Sequence, residues 1–278
     1  MRNNQDRMGL VEPKDNLQPN EEPPPTAQME FVVPTEIVEL PSKGLFYPEG
    51  HPLHGRATVE IKHMTTKEED ILTNQSYIKN GVAIDKLLRS VLVEPRMNIA
   101  DMHVGDKNAL TVACRVHGYG PEYKTKTVCP SCGHQGMYTF DLSVLENNDF
   151  ENGMEEFGAI PDYENGLIKM TIPRTKTQLE LRVLKEDTNT NQKSKKKNSA
   201  FVTNQYFRMI HSVNGNTNPT YVRKYIESMS ALDSRFLRAA YSKIVPGVDF
   251  THEFECDECG AEVEMEVPLT AEFFWPKS

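Results

Sequence analysis

The sequence lacks any long hydrophobic run, and this absence narrows the class of protein first. The 278 residues contain no apolar stretch approaching the roughly 18 residues that a transmembrane helix needs. The first thirty residues are polar and contain no apolar segment of the kind found in a secretory signal. Hydrophobic residues make up 38% of the chain and the mean hydropathy is -0.56. We therefore expect a soluble protein without a membrane span or a secretory signal.

Motifs of catalysis are also missing. No glycine-rich loop has the spacing of a phosphate cradle, and no Ser, His and Asp follow the order of a known nucleophile elbow. Two acidic runs, Glu21–Glu22 and Glu68–Asp70, are better explained by solvation and by the favourable position of acids in the first turn of a helix. We expect no enzymatic activity.

Cysteine is scarce, and positive charge is in deficit. Four of the five cysteines stand in C-x-x-C pairs, which is typical of metal ligands in a reducing cytosol rather than of a disulfide framework. The fifth, Cys114, has no paired cysteine and is expected to be a small buried hydrophobic residue. A formal net charge of -9 argues against wholesale binding of nucleic acid or acidic membranes and favours protein partners.

The two cysteine pairs are the strongest signal that is present. The first reads Cys-Pro-Ser-Cys-Gly from Cys129, and the second reads Cys-Asp-Glu-Cys-Gly from Cys256. Two residues between thiolates let both sulfurs face one ion, and the glycine can adopt the positive φ of the turn that follows. The sequence predicts a structural Zn²⁺ site with four thiolate ligands: Cys129, Cys132, Cys256 and Cys259.

Other interpretations of the cysteine pairs are a redox dithiol, a site that has lost its metal and an iron–sulfur cluster. A thioredoxin-like pair would begin a helix after a strand, and an iron–sulfur protein would show its characteristic ligand spacing. A zinc shell closed by four thiolates leaves no position for water, so catalytic zinc is not expected. His134 and His252 flank the pairs and could donate hydrogen bonds to sulfur, although surface positions are favoured for both.

The patterning predicts an α+β fold with a helical segment, a split zinc ribbon and a mixed α/β insertion. Alternating strands are expected on both sides of each cysteine pair, which is the sequence form of a zinc ribbon. The predicted parts are a disordered N-terminal arm at 1–33, a strand and helical region at 34–120, a split ribbon at 121–145 and 246–276, and the insertion with helices at 146–245.

Local signals place several elements within these parts. Thr65 with Glu68, or Thr66 with Glu69, predicts a capping box at the start of a helix. Further helices are predicted at 82–93, from about Asp106 through Val116, from Phe201 through Ile210, at 221–229 and at 233–244. Strands are predicted at 35–40, 58–64, 166–172 and 178–183.

Two segments could contact other molecules. The lysine-rich run at 193–197 could bind a phosphate backbone, although a solvated loop is favoured because no aromatic residues are interleaved with the lysines. The aromatic residues Phe273, Phe274 and Trp275 either fasten the tail to the body of the protein or anchor a partner.

Several short segments occur in an order that resembles one phage family. They are Leu40–Gly44, Met64–Leu72, Gly105–Asn108, Asp233–Arg235, Pro246–Asp249 and the ending Phe273–Pro276 after the second cysteine pair. Together they cover roughly residues 36 to 276 and resemble the T4-type baseplate proteins of contractile-tailed bacteriophages, in particular the group of hub and hub-assembly proteins.

The resemblance implies a non-enzymatic role in building the tail baseplate, as a hub component or as an assembly factor or chaperone. The implied partners are other phage baseplate or tail proteins, with the loop at 40–47 and the aromatic tail as candidate contacts. The implied location is the host cytoplasm during assembly and then the tail baseplate of the virion. The alternative from another class is a nucleic-acid-binding zinc-ribbon protein of transcription or replication.

Overall fold

A computed structural model describes residues 32–94, 96–185, 201–268 and 271–274, and in these ranges it contains eight α-helices and four small antiparallel sheets. The predicted α+β class is therefore confirmed. Nearly all of the predicted disordered arm, the lysine-rich run and Trp275 lie outside the described residues. Among the helices that the structure describes, none is long and apolar enough to cross a membrane.

The described residues contain ten β-strands in addition to the eight helices. The helices are α1 (Thr66–Thr73), α2 (Gln75–Asn80), α3 (Ala83–Val91), α4 (Val104–Tyr119), α5 (Phe150–Phe157), α6 (Phe201–Met209), α7 (Pro219–Ser228) and α8 (Ala231–Ile244). The strands are β1 (Thr35–Glu39), β2 (Thr58–Lys62), β3 (Glu122–Val128), β4 (Gln135–Asp141), β5 (Ile160–Asp162), β6 (Leu167–Thr171), β7 (Gln178–Arg182), β8 (Ile210–Val213), β9 (Thr251–Glu255) and β10 (Glu262–Glu266).

Helices α1, α3 and α4 of the N-terminal region follow the predicted local signals, whereas α2 was not predicted. At the start of α1 the carboxylate of Glu68 accepts hydrogen bonds from the backbone N–H of Thr65 at 2.9 Å and from its hydroxyl at 2.6 Å, so the predicted capping box is present. In α3 the side chains of Leu87, Leu88 and Val91 are fully buried, as the helical spacing of apolar residues predicts. Cys114 on α4 is a buried free thiol, also as predicted.

The insertion contains a four-stranded antiparallel sheet in the order β5, β6, β7, β8. The strands predicted at 166–172 and 178–183 are confirmed as β6 and β7. The prediction that Ile210 continues a helix was wrong, because Ile210 begins β8 and pairs with Leu181 of β7. Tyr206, Met209 and Ile210 are all buried in one cluster, so their spacing matched a helix although the backbone changes conformation at Ile210.

Helix α5 was not predicted from the sequence. Its eight residues include Gly153 near the middle, where glycine disfavours a helix. The helix packs against α8, and a Cβ atom at Gly153 would lie only 2.3 Å from the carbonyl oxygen of Lys243. The glycine is therefore required by close helix packing, which local propensity does not reveal.

Buried apolar side chains form two clusters. The first joins β1 and β2, helices α1, α3 and α4, both hairpins that carry the cysteines, and the tail residues Phe273 and Phe274. The second contains the helices and strands between Phe150 and Ile244 together with Phe46. The residues of the insertion thus share one hydrophobic core, and the elements on both sides of it share another.

A buried carboxylate near the start of α4 holds the turn that follows β1. Asp106 accepts hydrogen bonds from the backbone N–H of Ser42 at 3.0 Å, from the Ser42 hydroxyl at 2.7 Å and from the Tyr47 hydroxyl at 2.7 Å. All three residues are fully buried. Burial raises the pKa of Asp106, and the hydrogen bonds from Tyr47 and Ser42 oppose this rise. Two of the segments that carry the family resemblance, 40–44 and 105–108, therefore meet at this carboxylate.

Asp106→Ala should lower the free energy of unfolding by about 3–5 kcal/mol, because it leaves three buried donors without their acceptor. The measurement is urea denaturation with Zn²⁺ kept in excess, so that loss of metal does not contribute. Asp85→Ala is the matched control, because Asp85 is exposed and forms a 3.8 Å ion pair with Lys107; it should cost less than about 1 kcal/mol. Equal losses in the two variants would show that the Asp106 network does not stabilise the fold.

Candidate metal centre

Each cysteine pair occupies the turn of a two-stranded hairpin. β3 pairs with β4 up to the Val128–Gln135 position, and β9 pairs with β10 up to the Glu255–Glu262 position. Cys129 and Cys256 directly follow the first strand of their hairpins. The predicted arrangement of strand, cysteine turn and strand is therefore present twice.

The two turns have the same hydrogen-bond pattern. The N–H of Cys129 donates to the carbonyl of His134 at 2.9 Å, and the N–H of Gly133 donates back to Cys129 at 2.9 Å. In the second turn Cys256 donates to Ala261 at 3.1 Å and Gly260 donates to Cys256 at 2.8 Å.

The glycine of each turn has the backbone conformation that the sequence predicts. The φ angles are 76° at Gly133 and 62° at Gly260. These values lie in the left-handed region that glycine adopts without strain. The glycine after each cysteine pair is therefore explained by the turn itself.

The four sulfur atoms meet although their turns are far apart in the sequence. They all lie within 4.8 Å of one another. The Sγ atoms of Cys129 and Cys259 are 3.9 Å apart, and those of Cys132 and Cys256 are 3.8 Å apart across 124 sequence positions. A tetrahedron with metal–sulfur bonds of about 2.3 Å has edges of about 3.8 Å, whereas a disulfide needs about 2.05 Å. The four free thiols are therefore placed to hold one metal ion.

Electrostatics at the sulfurs also suits a cation. Hydrogen bonds from the backbone N–H groups of Cys259 and then Glu258 lower the pKa of Cys256 to about 6. The pKa of Cys132 is raised to about 12: a hydrogen bond from the backbone of His134 lowers it, but desolvation and the other three sulfurs outweigh that effect. Four thiolates this close repel one another, and a shared cation removes the repulsion.

Tyr138 packs beside the cysteine cluster, and Phe254 packs against Tyr138. The hydroxyl of Tyr138 on β4 lies 3.8 Å from the Sγ atom of Cys256, and the Tyr138 ring packs edge-on against Phe254 with centroids 4.5 Å apart. The sequence predicted a strand here but did not reveal this contact with sulfur. Alternation along β4 could have placed Tyr138 on the buried face, but the partner hairpin comes from the far end of the chain.

The two flanking histidines differ in their surroundings. His134 is exposed. His252 is partly buried, with its Nδ1 atom 2.6 Å from the carbonyl of Glu253 and its ring packed edge-on against Phe140. The favoured surface position thus describes His134 better than His252.

The aromatic tail packs inside the chain as far as the structure describes it. Phe273 is 4% exposed and Phe274 is 3% exposed. The Phe273 ring lies edge-on to Tyr123 at 5.2 Å, and the carbonyl of Phe273 accepts a hydrogen bond from the guanidinium of Arg115 at 2.7 Å. These contacts support the interpretation that the tail is fastened to the body of the protein. Partner binding by Phe273, Phe274 and Trp275 stays a prediction.

The loop at 40–47 is also mostly buried. Leu40, Ser42, Phe46 and Tyr47 are at most 2% exposed, whereas Lys43 is exposed. This loop therefore packs mainly against the rest of the fold. Its candidate role in contacting a partner also stays a prediction.

The sequence matches the family model described as T4 bacteriophage base plate protein over residues 33–275. This match spans nearly the whole 278-residue chain and includes both cysteine pairs. The chain therefore belongs to the T4 bacteriophage base plate protein family, as the resemblance of its segments implied. Comparison with curated proteins and with solved structures gave no match.

Tyr138→Phe should weaken the affinity for added Zn²⁺ by about tenfold, because the polar neighbours of metal ligands commonly contribute this much. The measurement is competition with a chromophoric chelator at fixed pH. Tyr221→Phe is the control, since Tyr221 is 43% exposed on α7 and does not belong to the cysteine hairpins. An unchanged affinity in Tyr138→Phe would show that the hydroxyl only fills space beside the sulfur.

Proposed function

We propose that this chain is a non-enzymatic structural or assembly protein of the baseplate hub, built around a structural zinc site. Membership of the base plate protein family is the observation that carries the baseplate role. The cysteine cluster supports the structural part of the proposal, because its four ligands complete a tetrahedral shell.

Zinc is the ion that best suits the donor set. Four thiolates are soft ligands, and tetrahedral sulfur sites select zinc or iron–sulfur chemistry. The sulfur separations of 3.8 and 3.9 Å fit a single ion. Held in this way, zinc supplies folding energy, with apparent binding free energies of roughly 10–16 kcal/mol in small zinc domains, and has no open position for a reaction.

A bound ion would stabilise the second hairpin, formed by β9 and β10, in particular. A two-stranded hairpin is marginal by itself in water. In β9 and β10 the glutamates at 253 and 264 face each other, as do those at 255 and 262, and like charges in these positions destabilise a hairpin. We propose that zinc offsets this repulsion by tying the hairpin to the first one.

Charge on the same hairpin disfavours the nucleic-acid alternative. The exposed side chains of β9 and β10 include five glutamates: Glu253, Glu255, Glu262, Glu264 and Glu266. Phosphate groups would be repelled by this face, since nucleic-acid affinity comes largely from Lys and Arg contacts. A protein partner in the baseplate is the better proposal.

We also propose that the chain is organised as the sequence suggests, with residues 146–245 inserted as a unit between the two halves of the ribbon. The support is the separation of buried side chains into two clusters, one of which draws almost entirely on residues 150–244. Both cysteine hairpins contribute to the other cluster.

Cys256→Ser should abolish zinc binding and lower the melting temperature. The substitution removes one of the four proposed ligands, and the acidic hairpin then loses its link to the first hairpin. Zinc content by atomic emission should fall from about one ion per chain to nearly none. Cys114→Ala is the control, since Cys114 is buried outside the cluster; it should keep the full zinc content. A wild-type chain that is stably folded without metal would contradict the proposed site.

The baseplate role predicts that the chain occurs with tail proteins. Mass spectrometry of purified virions and of tail-assembly intermediates from infected cells should detect it in one or both. A fixed copy number in virions would identify a hub component, and presence in intermediates alone would identify an assembly factor. Absence from both preparations would contradict the proposed function.

A further inference from the structure

A second group of metal-ligating side chains lies outside the cysteine cluster. Glu36 on β1, His63 directly after β2 and His117 in the last turn of α4 converge, with one ligand atom from each lying within 4.8 Å of the other two. We propose that these three residues form an open binding site for a divalent transition-metal ion. The inference rests neither on the baseplate role nor on zinc at the cysteines.

Distances among the three side chains fit such a site. The Oε1 atom of Glu36 is 3.3 Å from Nε2 of His63 and 3.9 Å from Nδ1 of His117. With metal–nitrogen and metal–oxygen bonds of about 2.0–2.2 Å, neighbouring ligand atoms lie about 2.8–3.6 Å apart. The first distance falls within this range, and the second exceeds its upper end by about 0.3 Å, so the His117 side chain must come closer to bind the same ion.

The backbone holds the three residues together from separate elements. β1 and β2 pair antiparallel, and the N–H of His63 extends the pairing by donating to the carbonyl of Pro34 at 2.9 Å. Helix α4 approaches the same segment at Gly118, where an added Cβ atom would lie only 2.2 Å from the methyl group of Met64. Met64 and Gly118 are the sequence neighbours of His63 and His117, so this close contact brings the two segments that carry the histidines together.

The ring geometry and the donor set indicate the kind of ion. The imidazoles of His63 and His117 are stacked with centroids 5.4 Å apart and planes 28° apart. Imidazole is the commonest metal ligand in proteins, and the Glu36 carboxylate adds an oxygen donor beside the two rings. Two histidines and one carboxylate suit zinc, nickel, cobalt, manganese or iron(II), and not the all-oxygen sites of calcium.

The site differs in character from the cysteine cluster. Three protein ligands leave at least one coordination position open, and the side chains are 30–42% exposed. Water or a ligand from another molecule can therefore complete the shell. The inferred site is a weaker and exchangeable one.

Nickel titration of the full-length chain, loaded beforehand with one equivalent of Zn²⁺ for the cysteines, tests this inference. Isothermal titration calorimetry should show about one Ni²⁺ bound per chain, with the zinc content unchanged. His63→Ala and His117→Ala should each weaken Ni²⁺ binding at least about tenfold, since each removes a ligand. His54→Ala is the matched control, because His54 is an exposed histidine outside this group and outside the cysteine turns; its affinity should stay within about twofold of the wild type.

Glu36→Gln keeps the size of the side chain and separates metal binding from folding. Glu36→Gln should weaken Ni²⁺ binding at least about tenfold. If an alanine variant loses the circular dichroism spectrum of the folded chain, the Glu36→Gln result is the one that tests the inference. Wild-type chain without bound Ni²⁺ overturns the inference. So does binding that is equal in the wild type and in Glu36→Gln, or equal in His63→Ala and His54→Ala.

Discussion

Two buried charges on helix α4 constrain where the chain on either side of it must lie. Asp106 near the start of the helix is bonded to Ser42 and Tyr47. Arg115 near its end is fully buried and donates to the backbone carbonyls of Gly120, Glu122 and Phe273. An unpaired buried charge costs several kcal/mol, so the turn after β1 and the C-terminal tail are both held in place by one helix. The signs of the two charges also suit the helix dipole.

The cysteine cluster is a second constraint of the same long-range kind. Cys132 and Cys256 meet across 124 sequence positions, and the whole insertion lies in the loop that they close. Closing a loop of this length costs conformational entropy, which the buried contacts of Tyr138 and Phe254 offset in part. The proposed zinc ion would supply the larger share. The ribbon and helix α4 belong to one hydrophobic cluster, so the two constraints support each other.

Prediction from sequence succeeded where the signal is local. The Thr65–Glu68 capping box, the buried face of α3 and the positive φ angles of Gly133 and Gly260 each depend on residues a few positions apart. Prediction failed where a partner from elsewhere decides the conformation. Ile210 leaves the helical pattern because β7 offers it a strand to pair with, and Gly153 is tolerated in α5 because α8 packs against it.

The sequence by itself determined the α+β class, the four cysteines of the cluster and the family, since spacing and order carry these signals. Only the tertiary structure decided what the other polar residues do. Asp106 reads locally as an ordinary acid in the first turn of a helix, and it becomes a buried acceptor because Ser42 lies against it. Glu36, His63 and His117 form no motif along the chain, and they meet because β1, β2 and α4 pack together. A side chain's chemistry is set by its neighbours in space, which a one-dimensional pattern shows only when they are also neighbours in sequence.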